Sequence, residues 1–156
     1  MPDLERLTSR HAAELFRFEQ ENRAYFARSV PDRGDDYFTN FAQRHAALLA
    51  EQDAGSCHFH VMVDDDGAVV GRFNLVDVAD GSAELGFRVA ERMNGRGLAK
   101  DGVRQVCELA RDKYQLRRLS ASASPGNTAS LAVLGASGFF IVGEDRVGIR
   151  QCRDLA

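Results

Sequence analysis

The sequence predicts a single α/β (α+β) domain over residues 1–156, with a mixed, mostly antiparallel sheet and helices on both faces. Three observations lead to this fold class. Helical patterns come first, a meander of alternating strands occupies the middle of the chain, and strand and helix patterns then alternate to the end. We find no repeat, linker or low-complexity segment, so the sequence offers no second domain.

Two helices are predicted at the start of the chain. The first begins at a cap on Thr8 or Ser9 and runs to about Phe26, because its apolar side chains recur at helical spacing. Pro31 then breaks the pattern. The second is predicted over about 35–53, where apolar residues again form one stripe.

Three strands of an antiparallel meander are predicted next, over 57–63, 68–78 and 82–89. The first and third alternate in polarity, as half-buried strands do, and the second is a long apolar run. The turns between them have the composition of hairpin loops, with Asp64-Asp65-Asp66-Gly67 in the first and Asp80-Gly81 in the second.

The most informative segment is Arg92-Met93-Asn94-Gly95-Arg96-Gly97-Leu98-Ala99, called the glycine loop below. It lies between the third strand and a strongly helical segment. Its backbone N–H groups are therefore expected to be unpaired at the positive end of a helix dipole, which favours an anion site. A Walker loop would end in Gly-Lys-Ser/Thr, and a dinucleotide fingerprint would contain a third glycine; neither is present. A glycine turn that only caps the helix remains the alternative.

The rest of the chain alternates strands with helices. The helix after the glycine loop places these side chains on one face: Val103, Val106, Cys107, Ala110 and Tyr114. A strand is predicted over 118–123, a short helix capped by Asn127 to about 136, and a final pair of strands over 139–142 and 147–152.

Composition excludes several classes of protein. A net charge of −3 argues against general nucleic-acid binding, and no apolar run is long enough to span a membrane. The first residues lack the order of a signal peptide, so we expect a cytoplasmic protein. His58 and His60 share one face of a strand, but no third ligand is close in sequence, so no metal site is expected.

The order of elements, with the glycine loop at the start of the third helix, resembles the GNAT acetyltransferase superfamily across essentially the whole chain. Two other segments carry the same resemblance. Asn127-Thr128-Ala129-Ser130 ahead of Gly138-Phe139 is similar to the last-helix pattern of the family. Glu21-Asn22 followed by Tyr25-Phe26 resembles the acceptor-side helix of the ribosomal-protein N-terminal (RimJ/RimL-like) branch.

The resemblance implies an N-acetyltransferase that moves an acetyl group from acetyl-CoA directly to a primary amine, at a protein N-terminus or on a small molecule. It implies these coenzyme contacts: Phe87, Arg88, Val89, Arg92, Gly95, Arg96, Gly97, Leu98, Ala99 and Asn127. It implies acceptor contacts from Asn22, Tyr25, Phe26 and Tyr37. A homodimer is left open. The alternative is a catalytically silent acyl-CoA sensor or interaction module on the same fold.

Acetyl transfer to an amine requires a neutral nucleophile, so a group must accept the amine's proton. Glu84 is the candidate base, because strand alternation turns it away from the apolar face of its strand. An ion pair with Arg88 or an edge neighbour is the alternative role. Ser130 matches the serine that the branch uses to hydrogen-bond the coenzyme sulfur, whereas Leu134 stands where many superfamily members have a tyrosine. The alternative for Ser130 is a hydroxyl bonded to its own helix.

Overall fold

The computed structural model describes residues 2–155 and confirms the mixed, mostly antiparallel sheet. Seven strands form it: β1 (Asp3–Arg6), β2 (His58–Val63), β3 (Val69–Ala79), β4 (Ser82–Val89), β5 (Arg118–Ala123), β6 (Phe140–Glu144) and β7 (Ile149–Asp154). Their spatial order is β1-β2-β3-β4-β5-β7-β6. The neighbouring strands β4 and β5 are parallel, and every other neighbouring pair is antiparallel.

The described residues also form six α-helices: α1 (Ala12–Glu21), α2 (Arg23–Phe26), α3 (Asp35–Thr39), α4 (Phe41–Asp53), α5 (Leu98–Asp112) and α6 (Thr128–Ala136). The two helices predicted at the start of the chain are each interrupted, at Asn22 and at Asn40. At Asn22 the side-chain amide donates to the carbonyl of Phe18 at 2.9 Å and accepts from the backbone N–H of Glu91 at 3.0 Å. Such local polar bonds compete with helix continuation.

Two strand assignments differ from the prediction. β1 was not predicted, because its four residues are mostly polar and it forms only the edge of the sheet beside β2. The last strand begins at Ile149 instead of residue 147. The reason is a turn in which Asp145 Oδ1 accepts from the backbone N–H groups of Val147 and Gly148, at 2.9 and 3.1 Å.

Helices α1 and α5 cover opposite faces of the sheet, as strand β3 shows. Arg72 of β3 donates to Glu19 of α1, whereas the next residue, Phe73, packs against α5. A Cβ at Gly102 of α5 would overlap the Phe73 ring, so the helix approaches the sheet this closely only because residue 102 has no side chain. The Phe73 ring also stacks on Phe87 of β4, with centroids 5.9 Å apart.

Strands β4 and β5 pair only from Ser82 to Glu84, where Glu84 lies opposite Ser120. Beyond Glu84 the two strands separate, while β4 stays paired with β3 as far as Val89. The parallel pairing therefore ends three residues before Phe87. The gap between β4 and β5 beyond Glu84 is called the fork below, and it leaves one edge of β4 free.

Candidate active site

Two adjoining cavities open at the fork. The small cavity, of about 160 Å³, reaches the glycine loop at Asn94 and Ala99. The large cavity, of about 490 Å³, extends to Arg33, Arg72 and the end of β5. The two cavities have these lining residues in common: Ser29, Val30, Phe87, Arg88, Asn127 and Ser130. A ligand in the small cavity would therefore meet a ligand in the large cavity beside Ser130.

The glycine loop presents unpaired backbone N–H groups, as predicted. Within residues 2–155, the N–H groups from Gly95 to Lys100 have no backbone acceptor, and the first paired amide is that of Asp101, which donates to the carbonyl of Gly97 at 3.0 Å. Gly95 and Gly97 have φ values of +77° and +75°, which disfavour residues with a side chain. A Cβ built on either glycine meets no atom within 4 Å, so the space in front of the loop is open.

The charges around the glycine loop are partly neutralised. Arg92 pairs with Asp64 at 3.3 Å, whereas Arg96 and Lys100 form no ion pair in the part of the chain that is described. Arg88 also lies near the loop in sequence, but its guanidinium binds Glu19 of α1 at 3.0 Å. The free cations Arg96 and Lys100 and the unpaired amides together suit a small polyanion.

A separate depression of about 360 Å³ lies beside Gly97, between α5 and α6. It is lined by three cationic side chains, those of Lys100, Arg104 and Arg153, and by one carboxylate, that of Asp101. Arg104 pairs with Asp101 at 2.6 Å. The depression extends the positively charged surface of the glycine loop along the start of α5.

The start of α6 supplies two polar groups to both cavities. Asn127 caps the helix, because its Oδ1 accepts from the backbone N–H of Ser130 at 3.3 Å. The Ser130 hydroxyl has no hydrogen-bond partner within residues 2–155, so the alternative of a bond to its own helix is not observed. Leu134 lines the large cavity and is buried, and it offers no donor there.

Glu84 is held by an arginine. Its Oε1 and Oε2 accept from Nη1 and Nη2 of Arg150 at 3.2 and 3.1 Å. Arg150 also pairs with Asp145 at 3.4 Å. Glu84 is not among the lining residues of either cavity. Since Glu84 is the last β4 residue paired with β5, the ion pair lies at the base of the fork.

A buried cluster of charges lies on the α1 side of the fork, and sequence reasoning missed it. Glu19 is only 1% exposed and accepts from Arg72 at 2.7 Å, from Arg88 at 3.0 Å and from Arg33 at 3.0 Å. These four residues are called the Glu19 cluster below. Burial acts to raise the pKa of Glu19, but the attraction of the three guanidinium groups outweighs it, and the pKa is lowered.

The four residues predicted to contact the acceptor take different positions. Tyr25 and Phe26 line the small cavity, and the Tyr25 hydroxyl accepts from Asn94 Nδ2 at 2.8 Å. Tyr37 is buried, lies outside both linings and accepts from Arg72 at 3.2 Å. Asn22 also lies outside both linings, and its amide is used in the two backbone hydrogen bonds that end α1. The structure thus brings Tyr25 and Phe26 to the fork.

The two histidines of β2 belong to a packed network on the α5 face. His60 is 1% exposed, and its Nε2 lies 2.6 Å from the hydroxyl of Tyr114, whose ring stacks on His58. Burial lowers the pKa of His60 to about 4. Residues 2–155 contain no group of three His, Cys, Asp or Glu side chains that could hold a metal ion. None of the helices described is long and apolar enough to cross a membrane.

Comparison with known proteins identifies the family to which this chain belongs. A model of the acetyltransferase (GNAT) domain matches residues 3–140. The probable N-acetyltransferase YjcK of Bacillus subtilis (strain 168) is 28% identical over 146 residues, which cover 89% of this chain and 80% of that protein.

Solved structures agree with this match. RimJ of Mycobacterium smegmatis, in complex with CoA-disulfide, is 25% identical with a TM-score of 0.84, and the alignment covers 97% of this chain and 80% of that one. The ribosomal-protein-S5-alanine acetyltransferase of Vibrio fischeri is 20% identical with a TM-score of 0.90, covering 97% and 91%. The second likeness shows a shared fold.

Proposed function

This chain belongs to the acetyltransferase (GNAT) domain family, and we propose that its fork brings acetyl-CoA and a primary amine together for direct acetyl transfer. The observation that carries this proposal is the continuity of the site. Unpaired amides from Gly95 to Lys100 lead to the free edge of β4, and that edge leads to the junction of the two cavities at Ser130. One extended coenzyme and one acceptor fit this layout.

The coenzyme contacts are proposed to follow the same path. The glycine loop, with Arg92 and Arg96, binds the pyrophosphate through backbone N–H groups and the helix dipole. The free edge of β4 at Phe87–Val89 pairs with the amides of the pantetheine arm, and Asn127 contacts the arm from α6. The cationic depression beside Gly97 suits the nucleotide end of the coenzyme.

The acceptor amine is proposed to enter the large cavity and to meet the thioester beside Ser130. The Ser130 hydroxyl donates a hydrogen bond to the sulfur as the thiolate leaves, and a thiolate with a pKa near ~8.5 needs only modest help. Glu84 is proposed to accept the proton of the amine, directly or through water. Each Glu84 oxygen accepts one hydrogen bond from Arg150, so a lone pair remains on each for the proton.

The acceptor is proposed to be a primary amine, and the segment Glu21–Phe26 favours a protein N-terminus. That segment resembles the acceptor-side helix of the ribosomal-protein branch, and its residues Tyr25 and Phe26 line the small cavity, which adjoins the large cavity proposed for the amine. A small primary amine is the other acceptor that the large cavity would admit.

A catalytically silent sensor of acyl-CoA is the second candidate. Two observations favour it: Leu134 offers no proton donor to the large cavity, and both oxygens of Glu84 are already paired. The sensor would bind acetyl-CoA at the same loop and would not transfer the acetyl group.

A thiol-release assay on a panel of amines separates the two candidates. The full chain is given acetyl-CoA with peptides that have free N-termini and with small amines, and coenzyme affinity is measured alongside by calorimetry. An enzyme releases the thiol only when an amine is added. Tight coenzyme binding without amine-dependent release would identify the sensor. Absence of coenzyme binding would reject both.

A further inference from the structure

We propose that the large cavity selects an acceptor amine that also carries a carboxylate. This inference rests on the proposed function, because it names the chemistry of the acceptor at that site. The carboxylate could be the side chain of an acidic N-terminal residue or the α-carboxylate of a free amino acid, and the experiment below distinguishes the two.

The charges that line the large cavity are all positive. Four arginines contribute to its wall, namely Arg33, Arg72, Arg88 and Arg146. Within the described range 2–155, none of the residues that line this cavity is an aspartate or a glutamate. An enclosed wall with one sign of charge attracts a ligand of the opposite sign.

Glu19 neutralises only part of this charge. It lies behind the wall and pairs with Arg33, Arg72 and Arg88, so that three positive charges face one negative charge. Arg72 and Arg88 each bind Glu19 through Nη1 alone. Their Nε and Nη2 atoms have no hydrogen-bond partner within residues 2–155, and none of these atoms is completely buried. Donors therefore remain available on the cavity side of the cluster.

The pKa of Arg88 agrees with this excess of positive charge. Burial lowers the pKa of Arg88 below its usual range. The attraction of Glu19 acts to raise this pKa, whereas repulsion from Arg33 and Arg72 lowers it further. A second carboxylate at this point would relieve the repulsion. Guanidinium groups with free N–H donors bind carboxylates by charge-assisted hydrogen bonds, which are stronger than neutral ones.

The arginines lie where they can bind the carboxylate of a molecule whose amine reaches the transfer point. Arg88 and Ser130 both line the junction of the two cavities, so a carboxylate at Arg88 would keep the amine near Ser130. Asn74 lines the same large cavity, and its Oδ1 is buried without a partner among the residues described.

The test compares acceptors matched in size that differ in charge, with the full chain, saturating acetyl-CoA and rates referred to the concentration of neutral amine. One arm uses the peptide amides Asp-Ala-Ala and Asn-Ala-Ala, and the other uses alanine and alaninamide. We expect kcat/KM to be at least about 10-fold higher for the acidic member of one arm, on the scale of a hydrogen bond between charged groups. The ratio should fall as salt is raised. The arm with the larger ratio identifies the source of the carboxylate.

Three variants at two positions locate the selectivity. Arg88→Gln is compared with the charge-preserving Arg88→Lys, and Arg146→Gln removes an exposed charge at the cavity without disturbing the core. We expect the acidic preference to drop in at least one of the Gln variants and to persist in Arg88→Lys, with thermal unfolding as a check on folding.

Two results would overturn the proposal. Equal turnover of acidic and neutral acceptors by the unmodified chain is one, and full retention of the preference in both Gln variants is the other. If no amine supports thiol release at all, the proposed function fails first, and that outcome differs visibly from turnover without preference.

Discussion

The two sides of the fork are built in different ways. The coenzyme side consists of consecutive residues, because the glycine loop and the first turn of α5 supply its unpaired amides. The acceptor side is assembled from distant segments: Glu19 of α1 meets Arg88 of β4, 69 positions along the chain, and also Arg33 and Arg72. A local site can be recognised from a short pattern, whereas a site assembled by folding cannot.

The two sides also differ in what satisfies their polar groups. The amides of the glycine loop have no partner within the described chain, so they depend on a ligand. In the Glu19 cluster, the buried carboxylate is paired with three guanidinium groups within the fold. Changes on the coenzyme side should therefore alter binding, and loss of the Glu19 carboxylate should alter stability.

Glu19→Gln should destabilise the fold by about 3–5 kcal/mol, because it leaves three buried or half-buried guanidinium groups without their carboxylate. Denaturant unfolding measures the change. Glu108→Gln is the matched control, since Glu108 forms an exposed ion pair with Arg104 and should change stability by no more than about 0.5 kcal/mol. Equal effects of the two substitutions would show that the cluster is not a source of stability.

Gly97→Val should weaken acetyl-CoA binding by at least about 100-fold, or about 2.7 kcal/mol, because a β-branched residue at a φ of +75° forces the loop out of shape. Calorimetric titration measures the affinity. Gly135→Ala in α6 is the control, since that glycine has open space and an ordinary φ, and its affinity should not change. Unchanged affinity in Gly97→Val would remove the glycine loop from the site.

Glu84→Gln should lower turnover by about 10²-fold with little change in coenzyme affinity, the usual scale for loss of a general base. The rate of the unmodified enzyme should rise with pH through one ionisation, and the variant should lose that dependence. Arg150→Gln removes the partner and keeps the carboxylate, so it should retain the pH dependence. If Glu84→Gln loses stability and keeps its pH profile, Glu84 serves only to hold β4, β5 and β7 together through Arg150.

The two faces of the sheet should respond to acid in different pH ranges. The pKa of His60 is about 4 in the fold against 6.5 in an unfolded chain, so the unfolded state binds the proton first and stability falls as pH drops from 6.5 to 4. The free energy of unfolding changes by at most about 1.4 kcal/mol per pH unit through this one group. Unfolding at several pH values should show this slope. His60→Gln should reduce it, and the remainder comes from His58, whose pKa is also lowered by burial.

Protonation of Glu19 changes the stability of the fold in a lower pH range than protonation of His60 does. Its pKa is lowered in the fold, so its contribution to stability is present above the unfolded value of 4.5 and is lost as pH falls through the folded value. The Glu19→Gln variant should therefore keep the slope between pH 6.5 and 4.5. An identical slope in the unmodified protein and in His60→Gln would contradict the assignment to His60.

Much of the fold could be predicted because its signals are local. The meander, the glycine loop and the cap at Asn127 follow from alternation, turn composition and capping chemistry. The break at Asn22 could not be predicted, since its side-chain oxygen accepts from the distant backbone N–H of Glu91. The break at Asn40 has no side-chain cap hydrogen bond, so it offered no capping signal. The polar edge strand β1 gave no periodic signal.

The residues of the candidate site also divide into those that a local pattern predicts and those whose contacts depend on the fold. The glycine loop was recognised from its own residues. The partner of Glu84 was not, because the pairing of Glu84 with Arg150 depends on the register of β7 against β5. Arg88 was grouped with the glycine loop by its place in the sequence, and only the fold turns its guanidinium toward Glu19.

The contact between Gly102 and Phe73 has a further consequence for substitutions in α5. A Cβ at residue 102 would overlap the Phe73 ring, and that ring stacks on Phe87 of β4. A larger residue at position 102 would therefore have to move either α5, which begins directly after Gly97, or the ring packed against Phe87. Gly102 lines neither cavity, yet its missing side chain fixes how closely the helix after the glycine loop approaches the strands that border the fork.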